Sequence, residues 1–297
     1  MKNFVPILLF TYTRVSSLKR LINSLKSNKE FFNHELFIFS DGPKNLKSKK
    51  QVNKVRAYLR SLKGFKKIKI FNNKKNLGTA INIIRGVTKI INKKKRVIVL
   101  EDDLVLSKHF LEYMNKSLDK YEKNKKVWHI SAWNYNFKFR DEFDDAFFSN
   151  HMICWGWGTW QDRWKYFRKD PKKLINNWKS DKIEKFNLDN SYNFWSQVLR
   201  NYKSIINTWA VFWYATIFEK NGLCLNPKNS LVLNLGNDNF AVNTHKDSLD
   251  KKHKLEQNFV VKKFPKKIFE NKKIIKIIKS NLQTSFFKKL IKKLKYD

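Results

Sequence analysis

Arg96-Val97-Ile98-Val99-Leu100-Glu101-Asp102-Asp103-Leu104 decides the fold of this chain. Its first half is a short run of β-branched and apolar residues, the composition of a parallel strand covered on both faces. It stops abruptly at three carboxylates. Working backward, Phe4 to Phe10 is another apolar run, and Leu18, Leu21, Ile22 and Leu25 follow it at helical spacing. Leu36 to Ser40 repeats the strand and Val52, Val55, Tyr58, Leu59 and Leu62 repeat the helix. Ile68 to Phe71 is a third strand and Thr79 to Ile91 a third helix. Strands alternating with helices of this length imply an α/β fold with a doubly wound, mostly parallel sheet, whose ligands sit at the carboxyl ends of the strands.

The 297 residues are 42% hydrophobic and rich in aromatics, enough for a sizeable core, so disorder throughout is excluded. Sixty-three Lys and Arg against 25 Asp and Glu give a formal charge of +38, which favours anionic partners. Only ten of the basic residues are arginine, so bidentate base readout is disfavoured and no nucleic acid is expected as partner. The two cysteines, Cys154 and Cys224, form no disulfide framework and point to a reducing compartment. No run reaches the ~20 apolar residues of a membrane span, and the N-terminal run is too short for a signal peptide. The expectation is a cytoplasmic protein, peripheral at the inner face of the cell membrane if its tail binds there.

Three segments emerge: 1–127, where strands and helices alternate regularly, 128–261, a less regular aromatic half of the same domain, and 262–297, a basic amphipathic tail. That tail holds 13 Lys and 2 acidic residues. Phe286, Phe287, Leu290, Ile291 and Leu294 form a stripe opposite Lys288, Lys289, Lys292 and Lys293. Either the stripe lies in an anionic membrane interface or it packs on the domain.

Three adjacent carboxylates after a buried strand repel one another unless a cation neutralises them. Hard oxygen ligands suit Mn²⁺ or Mg²⁺, which leave coordination positions for phosphate oxygens and water. The plainer alternative is a loop whose acids pair with lysines. Around the triplet, Thr11-Tyr-Thr-Arg14 ends the first strand, Asp41 ends the second, and Asn76-Leu-Gly78 opens the third helix. All are candidates for donor binding, although Asp41 before Gly42-Pro43 also reads as a turn residue and Asn76 as a cap. Trp155, Trp157 and Trp160 beside two glycines offer either sugar-stacking faces or core packing.

With these residues in view, Pro6 to Arg14, Phe39-Ser-Asp41-Gly, Asn76-Leu-Gly78, Val99-Leu-Glu101-Asp-Asp103-Leu with Phe110-Leu-Glu-Tyr113, and Ile130-Ser-Ala-Trp-Asn134 resemble the GT-A glycosyltransferases. Within them the chain is similar to bacterial sugar transferases related to the animal Golgi N-acetylglucosaminyltransferase that initiates N-glycan antennae. The resemblance covers roughly residues 4 to 245 and implies that 1–127 is the nucleotide-sugar-binding half and 128–261 the acceptor-binding half of one GT-A domain. It implies an inverting transfer from a nucleoside-diphosphate sugar, a UDP-sugar by preference, to a glycan or lipid-linked glycan acceptor in cell-surface polysaccharide synthesis. Asp103 would be the metal ligand, with Glu101 and Asp102 on the donor and Arg14 and Asp41 on the nucleotide. Trp157, Trp160 and Trp209 fall on the acceptor or sugar side, and His245 is a weaker metal candidate. One departure stands out. The family pattern has an Asp after the tryptophan matching Trp209, and this chain has Ala210. The general base that an inverting displacement needs then passes to Asp162 or Glu219. The remaining alternatives are a base supplied by the acceptor, a relative that binds donor without turning it over and, outside the family, a lysine-rich nucleic-acid-binding protein, which would leave the acidic triplet unexplained.

Overall fold

The computed structural model describes residues 4–135, 137, 143–236 and 255–294. The first half alternates as its hydrophobic spacing requires: β1 (Ile7–Thr11), α1 (Val15–Lys26), β2 (Glu35–Ser40), α2 (Leu46–Arg60), β3 (Lys67–Asn72), α3 (Thr79–Lys94) and β4 (Arg96–Glu101). The first strand begins just after Pro6, which has no N–H to give to a ladder. Then come β5 (Leu104–Leu106), α4 (Phe110–Tyr121), β6 (Val127–Ser131), β7 (Ala146–Ser149) and β8 (Trp157–Trp160). Four short helices follow, α5 (Gln161–Trp164), α6 (Pro171–Asn177), α7 (Ser180–Phe186) and α8 (Trp195–Tyr202). The chain continues through α9 (Ala210–Glu219), β9 (Leu223–Pro227), β10 (Val232–Asn234) and α10 (Lys272–Leu294).

Eight strands form one sheet in the order β3-β2-β1-β4-β8-β6-β9-β7, and β10 pairs with β5 in a separate ribbon. The first four are mutually parallel. Beyond β4 the sheet is mixed: β8 is antiparallel to both neighbours, β9 is parallel to β6, and β7 closes the edge antiparallel. Because β8 lies between β4 and β6, the sheet runs unbroken through both halves of the chain.

The continuous apolar strands are explained by burial on both faces. In β1, Ile7 and Leu9 face a core with α1, α2 and α4, while Leu8 and Phe10 face a second core with α3 and α9. Ile98 and Leu100 alternate with Val97 and Val99 in the same way along β4. Burying both faces leaves the carboxyl ends of the strands as the place where polar groups collect. The pairs Thr11↔Ser40, Phe10↔Glu101 and Ser40↔Asn72 align those ends along one edge.

The start of the tail packs on the domain. Ile274, Ile275, Ile278 and Leu282 of α10 are buried with Phe147 and Leu188, and Lys279 pairs with Asp189. Upstream, the Lys262 and Lys263 amides donate to Asp145 Oδ2. The side chains of the Phe286 to Leu294 stripe, and His245, lie outside the described residues.

Arg163 is a staple that its sequence does not advertise. Only 2% exposed, it donates to the carbonyls of Tyr121, Glu122, Asn124 and Val127 and so ties α5 to the α4–β6 turn. Arg163→Met orphans these carbonyls and should cost about 3 kcal/mol of unfolding free energy, read as a lower urea midpoint.

Candidate active site

At the end of β4 the three carboxylates diverge, each into a different environment. Asp102 turns inward and is 3% exposed. Its Oδ2 accepts from the Thr11 hydroxyl at 2.7 Å and the Tyr12 amide at 3.1 Å, and its Oδ1 accepts from Arg14 Nη2 at 3.0 Å. Burial nonetheless raises its pKa, opposed chiefly by the Arg14 guanidinium. Asp103 stays 17% exposed and takes Arg14 Nη2 on Oδ2 at 2.9 Å. Its Oδ1 has no partner among the described residues. Glu101 finds no donor among them either. Burial, then the charges of Asp103 and Asp102, push its carboxyl up to about 8. Burial also pushes up the neighbouring Cys154 thiol, with the Glu101 charge as the next cause.

The short ribbon brings a distant segment onto this corner. Leu104 pairs with Asn234, and the Leu235 amide donates to the Asp103 carbonyl at 2.9 Å. Gly236 then lies against the carboxylate: a Cβ there would stand 2.4 Å from Asp103 Oδ2. A side chain there would have to push the carboxylate aside.

A divalent ion fits these residues at Asp103. Mg²⁺ and Mn²⁺ are satisfied by one or two protein carboxylates, and Asp103 presents an unengaged oxygen toward solvent. The three carboxylates do not jointly surround a single ion position: among the described residues no group of three or more His, Cys, Asp or Glu gathers for a cation. Asp102 is already taken up by β1 and α1, which leaves Asp103 as the residue that could hold the ion.

Asp41 and Asn76 meet as expected, but through each other. Asp41 is 4% exposed and accepts five hydrogen bonds. Oδ1 takes the Gly42 and Leu77 amides and the Asn73 side chain; Oδ2 takes the Gly78 amide and the Asn76 side chain, all between 2.9 and 3.1 Å. Asp41 thus shapes the loop from which α3 starts. Gly78, at φ 75°, adopts a backbone that favours glycine and leaves open space beside it. Arg56, passed over in the sequence, braces the same loop by donating to the Asn73 carbonyl at 2.7 Å and to Ser40 Oγ at 3.2 Å. It lies beside the buried Val52, Val55 and Leu59 stripe of α2 but is not part of it, so periodicity carries no signal for the role.

The aromatic expectation needs correcting. Trp157 and Trp160 are 1% exposed and Trp209 is 4% exposed. Trp157 is stacked between His129 and Trp209 at ring separations of 5.3 and 5.1 Å, and Trp160 donates its indole N–H to the Leu118 carbonyl. Their faces are covered by protein, so they offer no platform to a sugar. Trp155, set edge-on to Trp133 at 4.8 Å, is the partly exposed member of the group.

Both candidate bases are also displaced. Because β8 runs antiparallel to β4, Trp157 pairs with Val99 near the carboxylates and Trp160 pairs with Arg96 at the far edge. Asp162 follows Trp160, some five residues or roughly 16 Å of strand away from Glu101, and is paired with Lys125 and Arg163. Glu219 ends the helix that Trp209 begins, about 15 Å along it, and holds the Trp178 indole and Lys182. Ala210 opens that helix with its methyl against the tryptophan core.

Comparison with known proteins bears on this edge of the sheet. The profile described as "Glycosyl transferase family 2" matches residues 7–182. No curated protein sequence matches significantly. Among solved structures, S. aureus TarS is similar at 12% identity and TM-score 0.33 over 48% of this chain and 24% of TarS. S. aureus TarS 1–349 in complex with UDP-GlcNAc is similar at 10% identity and TM-score 0.42, over 77% of this chain and 58% of that one. A mannosyltransferase from Pyrobaculum calidifontis in complex with GDP-Man and Mn²⁺ is similar at 9% and 0.39, over 74% and 70%. The chain therefore spans about a quarter of the length of full TarS.

Asp41→Asn replaces one accepting oxygen by a donor facing backbone amides. It should cost about 2–3 kcal/mol of stability, measured as a fall in denaturation midpoint with unchanged slope.

Proposed function

The chain belongs to glycosyl transferase family 2, and on that premise we propose that it transfers a hexosyl or N-acetylhexosaminyl group from a UDP-sugar to a glycan or lipid-linked glycan. The observation that carries this reading is the corner where Glu101, Asp102 and Asp103 end β4 against Arg14 and the end of β1. In an inverting displacement the acceptor oxygen bonds to the anomeric carbon as the bond from that carbon to the diphosphate oxygen breaks. The acceptor hydroxyl gives up its proton. A Mn²⁺ or Mg²⁺ ion at Asp103 would supply positive charge to the departing diphosphate. Arg14 adds a guanidinium beside the same oxygens, suited to bidentate phosphate contact. The loop built by Asp41 and Arg56 borders the nucleotide, with the Asn76-Leu77-Gly78 turn at its rim.

A role in cell-surface polysaccharide synthesis, with the basic tail holding the protein at the inner membrane face, is supported by the lysine excess of residues 262–297. No helix among the described residues is long and apolar enough to cross a membrane. Truncation at Lys262 should reduce binding to anionic vesicles if the tail acts this way. A second reading, a relative that binds donor without transferring it, is favoured by Ala210 and by the engagement of Asp162 and Glu219 at the far edge.

Calorimetric titration with UDP-sugars should show binding that requires Mn²⁺ and is lost in Asp103→Ala. Equal binding with and without the ion in both proteins would count against the assignment. Where donor turnover is observed, Asp162→Asn and Glu219→Gln should leave kcat within about twofold, since both groups lie a strand or helix length from the carboxylates. Retained donor binding without hydrolysis or transfer across a donor panel would instead select the second reading.

A further inference from the structure

Arg14 touches the site in a way that neither donor binding nor helix capping requires. Its residue opens α1 and its side chain is 24% exposed, yet one nitrogen, Nη2, lies 3.0 Å from Asp102 Oδ1 and 2.9 Å from Asp103 Oδ2. A single cationic group thus bridges two carboxylates, as a metal ion would. The two contacts differ in what remains after their loss. Asp102 keeps the Thr11 hydroxyl and the Tyr12 amide. Asp103 keeps no side-chain partner among the described residues.

We propose that Arg14 is the built-in counter-ion of Asp103 and that a divalent ion takes its place there, releasing the guanidinium toward the donor diphosphate. This rests on the divalent-ion reading above. The physical argument is charge balance. Without a cation, three consecutive carboxylates crowd a largely buried corner, and Arg14 supplies one positive charge against them. An ion arriving at Asp103 brings two charges beside the guanidinium, and the repulsion acts on the contact whose carboxylate the ion shares. The Asp102 contact keeps Arg14 nearby, and the diphosphate becomes its new anionic partner. Ion and nucleotide then bind cooperatively: the ion alone must displace Arg14 from Asp103, whereas with the diphosphate present the guanidinium gains an anion in place of the one it gives up. Linkage requires the effect to be reciprocal.

The test compares wild type, Arg14→Gln and Arg14→Lys by electron paramagnetic resonance titration of free Mn²⁺, with and without UDP, and by thermal unfolding in EDTA or saturating Mn²⁺. Without UDP, Arg14→Gln should bind Mn²⁺ about tenfold more tightly than wild type, the order expected from removing one charged hydrogen bond. The gain in Mn²⁺ affinity caused by UDP should shrink by a similar factor. In EDTA the variant should melt below wild type, and Mn²⁺ should close the gap; Arg14→Lys should fall between the two in every measurement. Equal or weaker Mn²⁺ binding by Arg14→Gln, with a melting deficit that persists in Mn²⁺, would show Arg14 to be a fixed partner of Asp102 and overturn the exchange. Absence of Mn²⁺ binding by all three proteins even with UDP would overturn the divalent-ion assignment itself, a distinguishable result.

Discussion

Like-charge crowding at the end of β4 is the constraint around which the rest is arranged. A central strand must be apolar along its length, so its polar continuation is forced to the edge, and here that continuation is three acids in a row. Their repulsion is managed by separation. Asp102 is drawn under the end of β1, Asp103 is turned toward Arg14 and Gly236, and Glu101 is left with a raised affinity for its proton. The distribution converts an unfavourable cluster into three groups with different chemical states. A site that binds a cation and an anion together needs such asymmetry, since identical carboxylates would compete for the same charge.

The surroundings of this corner are rigid for reasons that are local and countable. Asp41 gathers five donors and sets the loop opening α3, while Arg56 fastens that loop from the other side. The antiparallel ribbon of β5 with β10 carries Gly236 onto Asp103 across more than a hundred residues of sequence. Behind them, the tryptophan cluster of Trp157, Trp164, Trp209 and Trp213 fills the second core layer. Large aromatic rings bury much apolar area with few rotatable bonds, so a wall built from them holds its shape.

The placement of β8 has the widest consequences for the second half. Inserted antiparallel beside β4, it turns its glycine and tryptophans into sheet interior and sends Asp162 to the edge away from the carboxylates. Residues close in sequence to the Gly-Trp-Gly turn are therefore far from it in chemistry. Ala210 opens the helix that follows Trp209, with its methyl against the tryptophan core.

What the sequence determined by itself is what nearest-neighbour physics encodes. Continuous apolar runs and period-3.6 hydrophobicity located β1 to β4 and α1 to α3 within a few residues, because strands buried on both faces and helices with one apolar stripe leave those signatures locally. The Glu101-Asp102-Asp103 triplet was legible for the same reason, as a costly charge cluster after an apolar run. The tertiary structure alone decided which partners those groups have. Nothing in the sequence distinguishes an indole stacked in a core from one facing solvent, so Trp157, Trp160 and Trp209 misled. Asp162 lies at the edge away from the carboxylates because strand direction is a property of the assembled sheet. That Arg14 bridges two carboxylates, that Asp41 is saturated by its own loop and that Gly236 meets Asp103 are long-range contacts, settled by how the layers pack and absent from any local pattern.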